Sequence, residues 1–245
     1  MGNAGCSFRA LRYAGYSRGG IFALTKSGKK SAANSQTKAA TDKLEGAYAL
    51  DSPNDNRAYY RDFAATYDKD FVVDTGYVVP REVARAFLAH SGLQDTPVLD
   101  IGAGTGLLAQ SLGGIETDGI DISDEMLAKA AAKGLYRNLI VADLTGKLDI
   151  ADARYGALVS SGTFTHGHVG PGALAELLRI ARPGALFCLG INLAIFDSAG
   201  FGSAFARLVA DARITPVDFR EIAFYEGVEH EHSADHGVAA LFRKR

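Results

Sequence analysis

Apolar and polar residues form regular blocks along most of the chain. From residue 97 onward, short apolar runs alternate with stretches whose apolar residues recur at helical spacing, such as Leu174, Leu177 and Leu178. The predicted strands are PVLDI, TDGIDI, LIVAD, YGALVSS and ALFCLGIN, followed by the extended runs VDFREIAFYEG and HGVAALFRKR. This alternation predicts an α/β fold: a Rossmann-like, mostly parallel sheet with helices on both faces.

Three helices are predicted before the first strand, over residues 37–92. The segments are TKAATDKLEGAYAL, NRAYYRDFAATYDKDF and PREVARAFLAHSG. In the second segment, Tyr60 and Tyr67 lie on one face at helical spacing. We expect residues 93–245 to form the Rossmann-like core against which these helices pack.

The start of the chain differs in composition from the rest. The first 41 residues carry seven basic and no acidic residues and are rich in Ser, Gly and Ala. This composition predicts a disordered basic extension over residues 1–36, with residues 37–245 as the folded domain. An acid-free start that contains Arg and Ser also resembles an organelle transit peptide, so an organelle is the alternative to the expected cytoplasmic location.

Three glycines follow the first predicted strand at alternate positions: Gly102, Gly104 and Gly106. A dinucleotide site would need the pattern G-x-G-x-x-G, but Leu107 stands where its last glycine would be. Asp100, just before the turn, would repel a pyrophosphate and attract a cation. A ligand with both an ammonium group and a carboxylate fits this turn better, because the carboxylate can use the helix end.

Acidic residues end the next two predicted strands. Asp121 ends the second strand, where a carboxylate accepts hydrogen bonds from a ribose diol. Asp143 ends the third strand and can accept from an adenine amino group, with Met126 and Leu144 as apolar walls for the ring. Ligands of such sheets bind beyond the carboxyl ends of the strands. Ribose, adenine and amino acid together describe S-adenosylmethionine (SAM).

Four segments resemble the successive motifs of class I SAM-dependent methyltransferases: VLDIGAGTGLLAQSL, GIDISDEMLAKAAAKG, LIVADL and LLRIARPGALFCLG. They extend over about residues 98–192, and the terminal strand pair agrees with the antiparallel last strand of that family's seven-stranded sheet. Within the superfamily, KGLYRNLIVADL and GTFTHGHV are similar to the methyltransferase-like family of the Williams–Beuren syndrome region and its bacterial relatives. The resemblance implies a methyltransferase with SAM as its cofactor.

The resemblance also implies a role for residues at each strand end. The methionine portion of SAM would contact Gly102, Ala103 and Gly104, the ribose Asp121 and Ile122, the adenine Asp143 and Leu144, and the sulfonium Ser160. Asp100, Gly106 and Met126 complete the predicted cofactor site. The helix with Tyr60 and Tyr67 resembles the N-terminal lid of small-molecule members, and packing of aromatic residues on the sheet is the other explanation.

The loop after the fourth predicted strand, SSGTFTHGHVGPG, is where a catalytic base would lie. Methyl transfer needs aligned reactants, and it needs a base only when the acceptor must lose a proton. Histidine takes a proton near neutral pH, and His166 lies nearer the strand end than His168. We therefore predict His166 as the catalytic base, with Phe164 and His168 as substrate or lid residues. A histidine that only stabilises the loop is the alternative.

Several acceptor classes lack their usual residues in this chain. The fourth strand is not followed by Asn/Asp-Pro-Pro-Tyr/Phe, which disfavours methylation of amino groups of bases or glutamine. Cys188 lies in a strand without a preceding proline, which disfavours covalent catalysis on cytosine. Ser160 and Ser161 stand where a metal-dependent catechol site would have acids. The segment EHEHSADHG is interpreted as an exposed turn, so no metal is predicted.

Charge and composition narrow the partners further. After position 41 the chain carries 19 basic against 28 acidic residues, a net charge of −9, which disfavours nucleic acid as a substrate. No apolar run approaches the roughly 20 residues of a membrane span. The two cysteines form neither a disulfide framework nor a metal-spaced pair. We expect a monomer or homodimer that acts on a small-molecule acceptor, without a membrane or nucleic-acid partner.

Three other functions stay open from the sequence. A SAM-binding protein without its own catalysis would bind the cofactor and never turn over. A protein or RNA acceptor is the second alternative. An NAD(P)-dependent oxidoreductase is the third, and both Leu107 and Asp100 argue against it.

Overall fold

The computed structural model describes residues 45–47, 50 and 52–245. The first predicted helix, over residues 37–50, is helical at 45–47, and its other residues except residue 50 lie outside the described residues. The predicted basic extension over residues 1–36 also lies outside them. No helix in the described part of the chain has both the length and the apolar character needed to cross a membrane.

The described chain alternates helices and strands as predicted. The α-helices are α1 (Pro53–Phe63), α2 (Val79–Leu88), α3 (Leu107–Ser111), α4 (Asp124–Ala132), α5 (Leu174–Ile180), α6 (Leu193–Phe196) and α7 (Phe201–Ala210). The strands are β1 (Val98–Ile101), β2 (Thr117–Asp121), β3 (Leu139–Val141), β4 (Tyr155–Phe164), β5 (Ala181–Asn192), β6 (Asp218–Ala223) and β7 (His236–Arg243). A π-helical segment, Tyr67–Val73, follows α1, and a short 3-10 turn, Pro171–Ala173, precedes α5.

The strands form one seven-stranded sheet in the order β3-β2-β1-β4-β5-β7-β6. The pairs from β3 to β5 are parallel, whereas β7 runs antiparallel to both β5 and β6. The chain order reverses beside β1, since β2 lies on one side of it and β4 on the other. The predicted fold class, a Rossmann-like sheet with an antiparallel last strand, is confirmed.

Both faces of the sheet are buried, because successive strand residues point to opposite sides. In β1, Leu99 packs in the core that contains α5 and α7, and Val98 packs in the core that contains α2 and α3. In β4, Leu158 and Val159 divide between the two cores in the same way. The carboxyl ends of the central strands are thereby held in fixed positions at one edge.

The second predicted helix, over residues 56–71, is divided in the structure. It begins at Pro53, which suits the first turn because a proline has no N–H to leave unpaired. The Ser52 side chain caps it by accepting a hydrogen bond from the Asp55 N–H at 3.2 Å. The α-helix ends at Phe63, and π-helical geometry begins at Tyr67. Ser52 and Pro53 therefore begin this helix.

β4 extends past the predicted YGALVSS segment and contains a bulge. Ser160 pairs with Leu189 and Phe164 pairs with Ile191, so residues 161–163 stand opposite Gly190 alone. Bulges leave the extra residues unpaired and re-aim their side chains, often next to active sites. The bulge turns these residues toward the carboxyl edge of the sheet, where the predicted site lies.

Candidate functional site

A cavity of about 720 Å³, its open mouth included, lies at the carboxyl ends of β1, β2 and β4. Residues predicted for the cofactor line it, namely Gly102, Gly104, Asp121, Ile122, Met126, Asp143 and Leu144. Three residues predicted for substrate or lid, Tyr60, Tyr67 and His168, line it as well. We call this space the cofactor cavity.

The glycine turn after β1 packs closely against side chains of the protein, and it also lines the cavity. Gly102 has a φ of +67°, and a Cβ atom there would lie 1.9 Å from Oγ1 of Thr163. Gly104 has a φ of +53°, but a Cβ atom there would be 3.6 Å from Met126, an ordinary contact. Gly102 is therefore required for packing of the β4 bulge, and Gly104 for the backbone conformation.

Asp121 holds the glycine turn in place from the end of β2. Its carboxylate accepts hydrogen bonds from the N–H of Gly104 at 2.8 Å and from the N–H of Ser123 at 2.9 Å. Burial raises the pKa of this carboxyl, and the backbone donors oppose the rise. Because Asp121 also lines the cavity, its remaining acceptor capacity can serve the hydroxyl groups of a ligand.

Asp100 lies behind the turn and does not line the cavity. It is completely buried, and its Oδ2 accepts a hydrogen bond from the Tyr136 hydroxyl at 2.7 Å. Its Oδ1 has no hydrogen-bond partner among the described residues. Burial raises the pKa of Asp100 to about 7, partly offset by the bond from Tyr136 and reinforced by the charge of Asp121. Because Asp100 does not line the cavity, it would affect a bound cation through the charge of its carboxylate and not by direct contact.

The end of the cavity at β3 combines one acid with apolar walls. Asp143 Oδ1 accepts hydrogen bonds from the N–H of Thr145 at 2.8 Å and from its hydroxyl at 2.7 Å. These bonds orient the carboxylate, and Oδ2 keeps its acceptor capacity. Leu144, Met126 and Ile122 line the cavity nearby. The arrangement suits a flat ring that carries an exocyclic amino group.

Other predicted residues lie beside the cavity and not in its lining. Ser160 is completely buried, and its hydroxyl donates to the Ile101 carbonyl at 2.8 Å. Ala103 is buried, and Gly106 begins α3 with a φ of +89°. The bulge residues that follow it, Ser161, Gly162 and Thr163, do line the cavity.

The structure adds residues that the sequence did not single out. Asn56 lines the cavity, is 5% exposed, and donates from Nδ2 to the Gly167 carbonyl at 2.8 Å. Its Oδ1 is buried and has no hydrogen-bond partner among the described residues. Thr145 and Val169 also line the cavity. The sequence signal for Asn56 is weak, since an Asn in the first turn of a helix is usually a helix-end residue.

The segment from α1 through Tyr67–Val73 covers the cofactor cavity through polar contacts with the core. The Arg57 side chain donates to the Ile122 carbonyl at 3.3 Å. Asp68 accepts a hydrogen bond from the Thr105 hydroxyl in the glycine turn and forms an ion pair with Lys133 at 2.6 Å. These contacts join the covering segment to the loops after β1 and β2.

Tyr60 and His168 form a hydrogen bond across the cavity. The Tyr60 hydroxyl lies 2.9 Å from His168 Nε2, and His168 Nδ1 contacts the His166 carbonyl oxygen. Because a carbonyl only accepts, Nδ1 carries the proton, and Nε2 of the neutral ring accepts from Tyr60. Burial lowers the pKa of His168, which favours this neutral form.

A second cavity of about 570 Å³, its open mouth included, adjoins the first. Tyr60, Tyr67, Gly162 and His168 line both cavities and thus form the wall between them. We call this space the aromatic cavity, because the rings of Phe63, Tyr77, Phe164, Phe224 and Tyr225 complete its lining. His166, predicted as the base, lines neither cavity, and its assignment stays a prediction.

Comparison with known proteins identifies the core. Residues 99–189, from β1 into β5, match the family model described as a methyltransferase domain. Residues 99–189 therefore form a SAM-dependent methyltransferase domain. SAM is the cofactor of this family.

The domain has relatives in sequence and in structure. Methyltransferase-like protein 27 from Homo sapiens is 33% identical over 141 residues, which are 54% of this chain and 55% of that protein, so the chain spans about half of its length. The CurJ carbon methyltransferase has a TM-score of 0.54 at 15% identity, covering 88% of this chain and 68% of that chain. A SAM-dependent methyltransferase from Aquifex aeolicus has a TM-score of 0.50 at 21% identity, covering 74% and 97%. These structures share the fold.

Proposed function

We propose that this chain binds SAM in the cofactor cavity and transfers its methyl group to a small-molecule acceptor. The observation that carries the proposal is that the glycine turn, Asp121 and Asp143 meet in one cavity beneath α1. These groups come from three successive strand ends, and among the described residues Asp143 has no hydrogen bond to the other two that would account for its place in the same cavity. Their order along the cavity matches the order of amino acid, ribose and adenine in SAM.

The residues present fit SAM in their chemistry. Asp121 would accept from the ribose hydroxyls, and Asp143 would accept from the adenine amino group, with Leu144 and Met126 against the ring. Asn56 Oδ1, buried and unpartnered among the described residues, offers one more acceptor for a ligand N–H or O–H group. The ionised Asp100 would favour a cationic ammonium near the glycine turn.

The protein's part in the reaction is alignment and exclusion of water. SAM, when bound, supplies the activated methyl group. The covering segment with Asn56, Tyr60 and Tyr67 lines one side of the cavity and limits its contact with bulk water, which favours a fixed geometry between donor and acceptor. We propose on the same grounds that this segment, predicted as a lid, opens for exchange of the cofactor.

Two observations favour a small-molecule acceptor over RNA or protein. The aromatic cavity adjoins the cofactor cavity, and its described lining is uncharged and rich in aromatic side chains. The chain after position 41 carries a net charge of −9, which repels a phosphate backbone. Both features suit a compact ligand that enters the fold and is enclosed.

The test uses SAM with a radiolabelled methyl group. The full-length protein is incubated with labelled SAM and a cell extract that has been divided by filtration into small molecules and macromolecules. We expect label in a small-molecule product, and none with Asp121→Asn, which keeps the side-chain volume. Label in protein or RNA would contradict the acceptor class. Binding of SAM without transfer to any fraction would support a binding protein without catalysis.

A further inference from the structure

The wall between the two cavities is made by few residues. Gly162 lies in this wall at a φ of +83°, and a Cβ atom there would be 2.9 Å from the Tyr77 hydroxyl. Tyr60 and His168 are hydrogen-bonded within the same wall. A molecule in the aromatic cavity would therefore lie next to a molecule in the cofactor cavity, with these side chains at their junction.

The lining of the aromatic cavity is uncharged. Among its described residues there is no carboxylate, ammonium or guanidinium group. Aromatic rings contact each other along it: Phe63 and Tyr67 meet edge to face with ring centres 5.1 Å apart, and Tyr77 and Tyr225 are tilted with ring centres 5.8 Å apart. An ion would lose its water here without an opposite charge to replace it, whereas a flat apolar ring would pack well.

The aromatic cavity also has polar groups in its lining, namely the tyrosine hydroxyls, Thr165, His168 and Asn192. The Asn192 amide donates to the Thr165 hydroxyl at 3.2 Å and accepts from the Ala194 N–H at 2.9 Å. His168 presents Nε2 as an acceptor toward Tyr60, with Nδ1 directed to a carbonyl. The hydroxyl group of a ligand can enter this hydrogen-bonded pair without leaving a buried polar atom unsatisfied.

We propose that the aromatic cavity is the acceptor site and that it binds an uncharged aromatic alcohol or phenol, with its hydroxyl group at the Tyr60–His168 pair. This inference rests on the proposed function and adds the substrate class. In the transfer, the acceptor oxygen forms the bond to the methyl carbon as the carbon–sulfur bond breaks, and sulfur keeps that electron pair. The hydroxyl proton passes to His168 Nε2, directly or through the Tyr60 hydroxyl.

The site is tested by binding, before any turnover is sought. The probes are 2-naphthol, the anion 2-naphthoate and the cation 2-naphthyltrimethylammonium, which share one ring system and differ in charge. The chain contains no tryptophan, so the naphthyl fluorescence can be followed without tryptophan emission. We expect 2-naphthol to bind at least tenfold more tightly than either ion, as measured by fluorescence titration of the full chain.

Variants separate this inference from the proposed function. Thr165 lines only the aromatic cavity, so Thr165→Phe fills that space, and Thr165→Ser is the matched control that keeps the hydroxyl. We expect Thr165→Phe to weaken 2-naphthol binding at least tenfold and to leave SAM binding unchanged. Asp121 lines the cofactor cavity and not the aromatic cavity. Asp121→Asn should therefore weaken SAM binding while 2-naphthol still binds.

The role of His168 needs a readout other than lost activity. His168→Gln keeps an acceptor for Tyr60 but cannot take up a proton. His166 and Tyr60 are the titratable groups in contact with His168, so Tyr60→Phe and His166→Gln are compared with it. In wild type, kcat should fall at acid pH as His168 becomes protonated. We expect this fall in the pH profile of kcat to disappear in His168→Gln and to persist in His166→Gln.

Each contrary result overturns a definite part of the inference. Tighter binding of the cation or the anion would exclude an uncharged acceptor. Equal binding of 2-naphthol to Thr165→Phe and Thr165→Ser would exclude this cavity as its site. If the wild-type chain binds 2-naphthol but not SAM, the proposed function is rejected and the aromatic cavity remains as a binding site alone. An unchanged pH profile in His168→Gln would remove His168 as the proton acceptor.

Discussion

Burial sets the properties of Asp100. The carboxyl is completely buried beside Tyr136, and its pKa rises from 3.8 to about 7. Since the folded pKa exceeds the unfolded one, the folded state binds this proton more tightly. The contribution of Asp100 to stability is therefore fully present below about pH 4 and is lost as the pH rises to about 7.

Asp100→Asn should remove this pH dependence. The amide stays uncharged at every pH, and its oxygen can still accept from the Tyr136 hydroxyl. We expect the variant to gain stability relative to the wild type by a margin on the order of a few kcal/mol near pH 8, and by much less near pH 5. Urea unfolding of both proteins at the two pH values measures the margin. A margin that does not change with pH would contradict the raised pKa.

For single residues, the sequence predicts which of them line the cavity better than it predicts the contacts between them. Asp121 and Asp143 could be predicted for the cavity because they end parallel strands, whose carboxyl ends meet at one edge. The bond between Asp100 and Tyr136 joins residues 36 apart in sequence, and no local pattern predicts it. Sequence distance from the strand end favoured His166 as the base, whereas the fold brings His168 into the cavity lining.

The covering segment depends on a few polar contacts, and Asp68 joins it to two loops of the core. It contacts Thr105 in the glycine turn and Lys133 after α4. Among the described residues, Asp62 on α1 pairs with its exposed neighbour Arg61, so it provides a matched control of the same residue type. Removing either carboxylate changes the net charge equally. Of these two residues, Asp68 is the one that contacts the core.

Asp68→Ala should therefore open the covering segment more often than Asp62→Ala does. A partly exposed ion pair is worth about 1 kcal/mol or less, which corresponds to an opening equilibrium that is up to about fivefold more favourable. We expect amide hydrogen exchange over residues 53–73 to increase by up to about that factor in Asp68→Ala and to stay unchanged in Asp62→Ala. Equal exchange in the two variants would mean that Asp68 does not anchor the segment.

Helices and strands with a local sequence signal could be predicted, whereas elements whose geometry depends on contacts with other segments could not. The helix capped by Ser123 runs over Asp124–Ala132, as its N-terminal residues indicate. The bulge in β4 could not be predicted, because residues 161–163 resemble an ordinary Gly-rich loop. The π-helical segment likewise interrupts a stretch whose spacing predicts one continuous α-helix.

At the scale of the whole molecule, the fold follows from the order of strands and helices. Parallel neighbours require crossovers, so a βα repeat leaves few arrangements for the sheet. The antiparallel β7 was expected from the family resemblance. The junction of two cavities depends on packing between α1 and the loop after β4, which are 108 residues apart at the Tyr60–His168 bond. Long-range contacts of this kind are not encoded in any single segment.

The most direct test of the account is calorimetric titration of the full-length protein with SAM, with its demethylated product and with NADH. We predict micromolar binding of both SAM forms, no binding of NADH, and at least tenfold weaker SAM binding by Asp121→Asn, whose fold is checked by circular dichroism. Binding of NADH without binding of SAM would contradict the assignment of the cofactor cavity and the function derived from it.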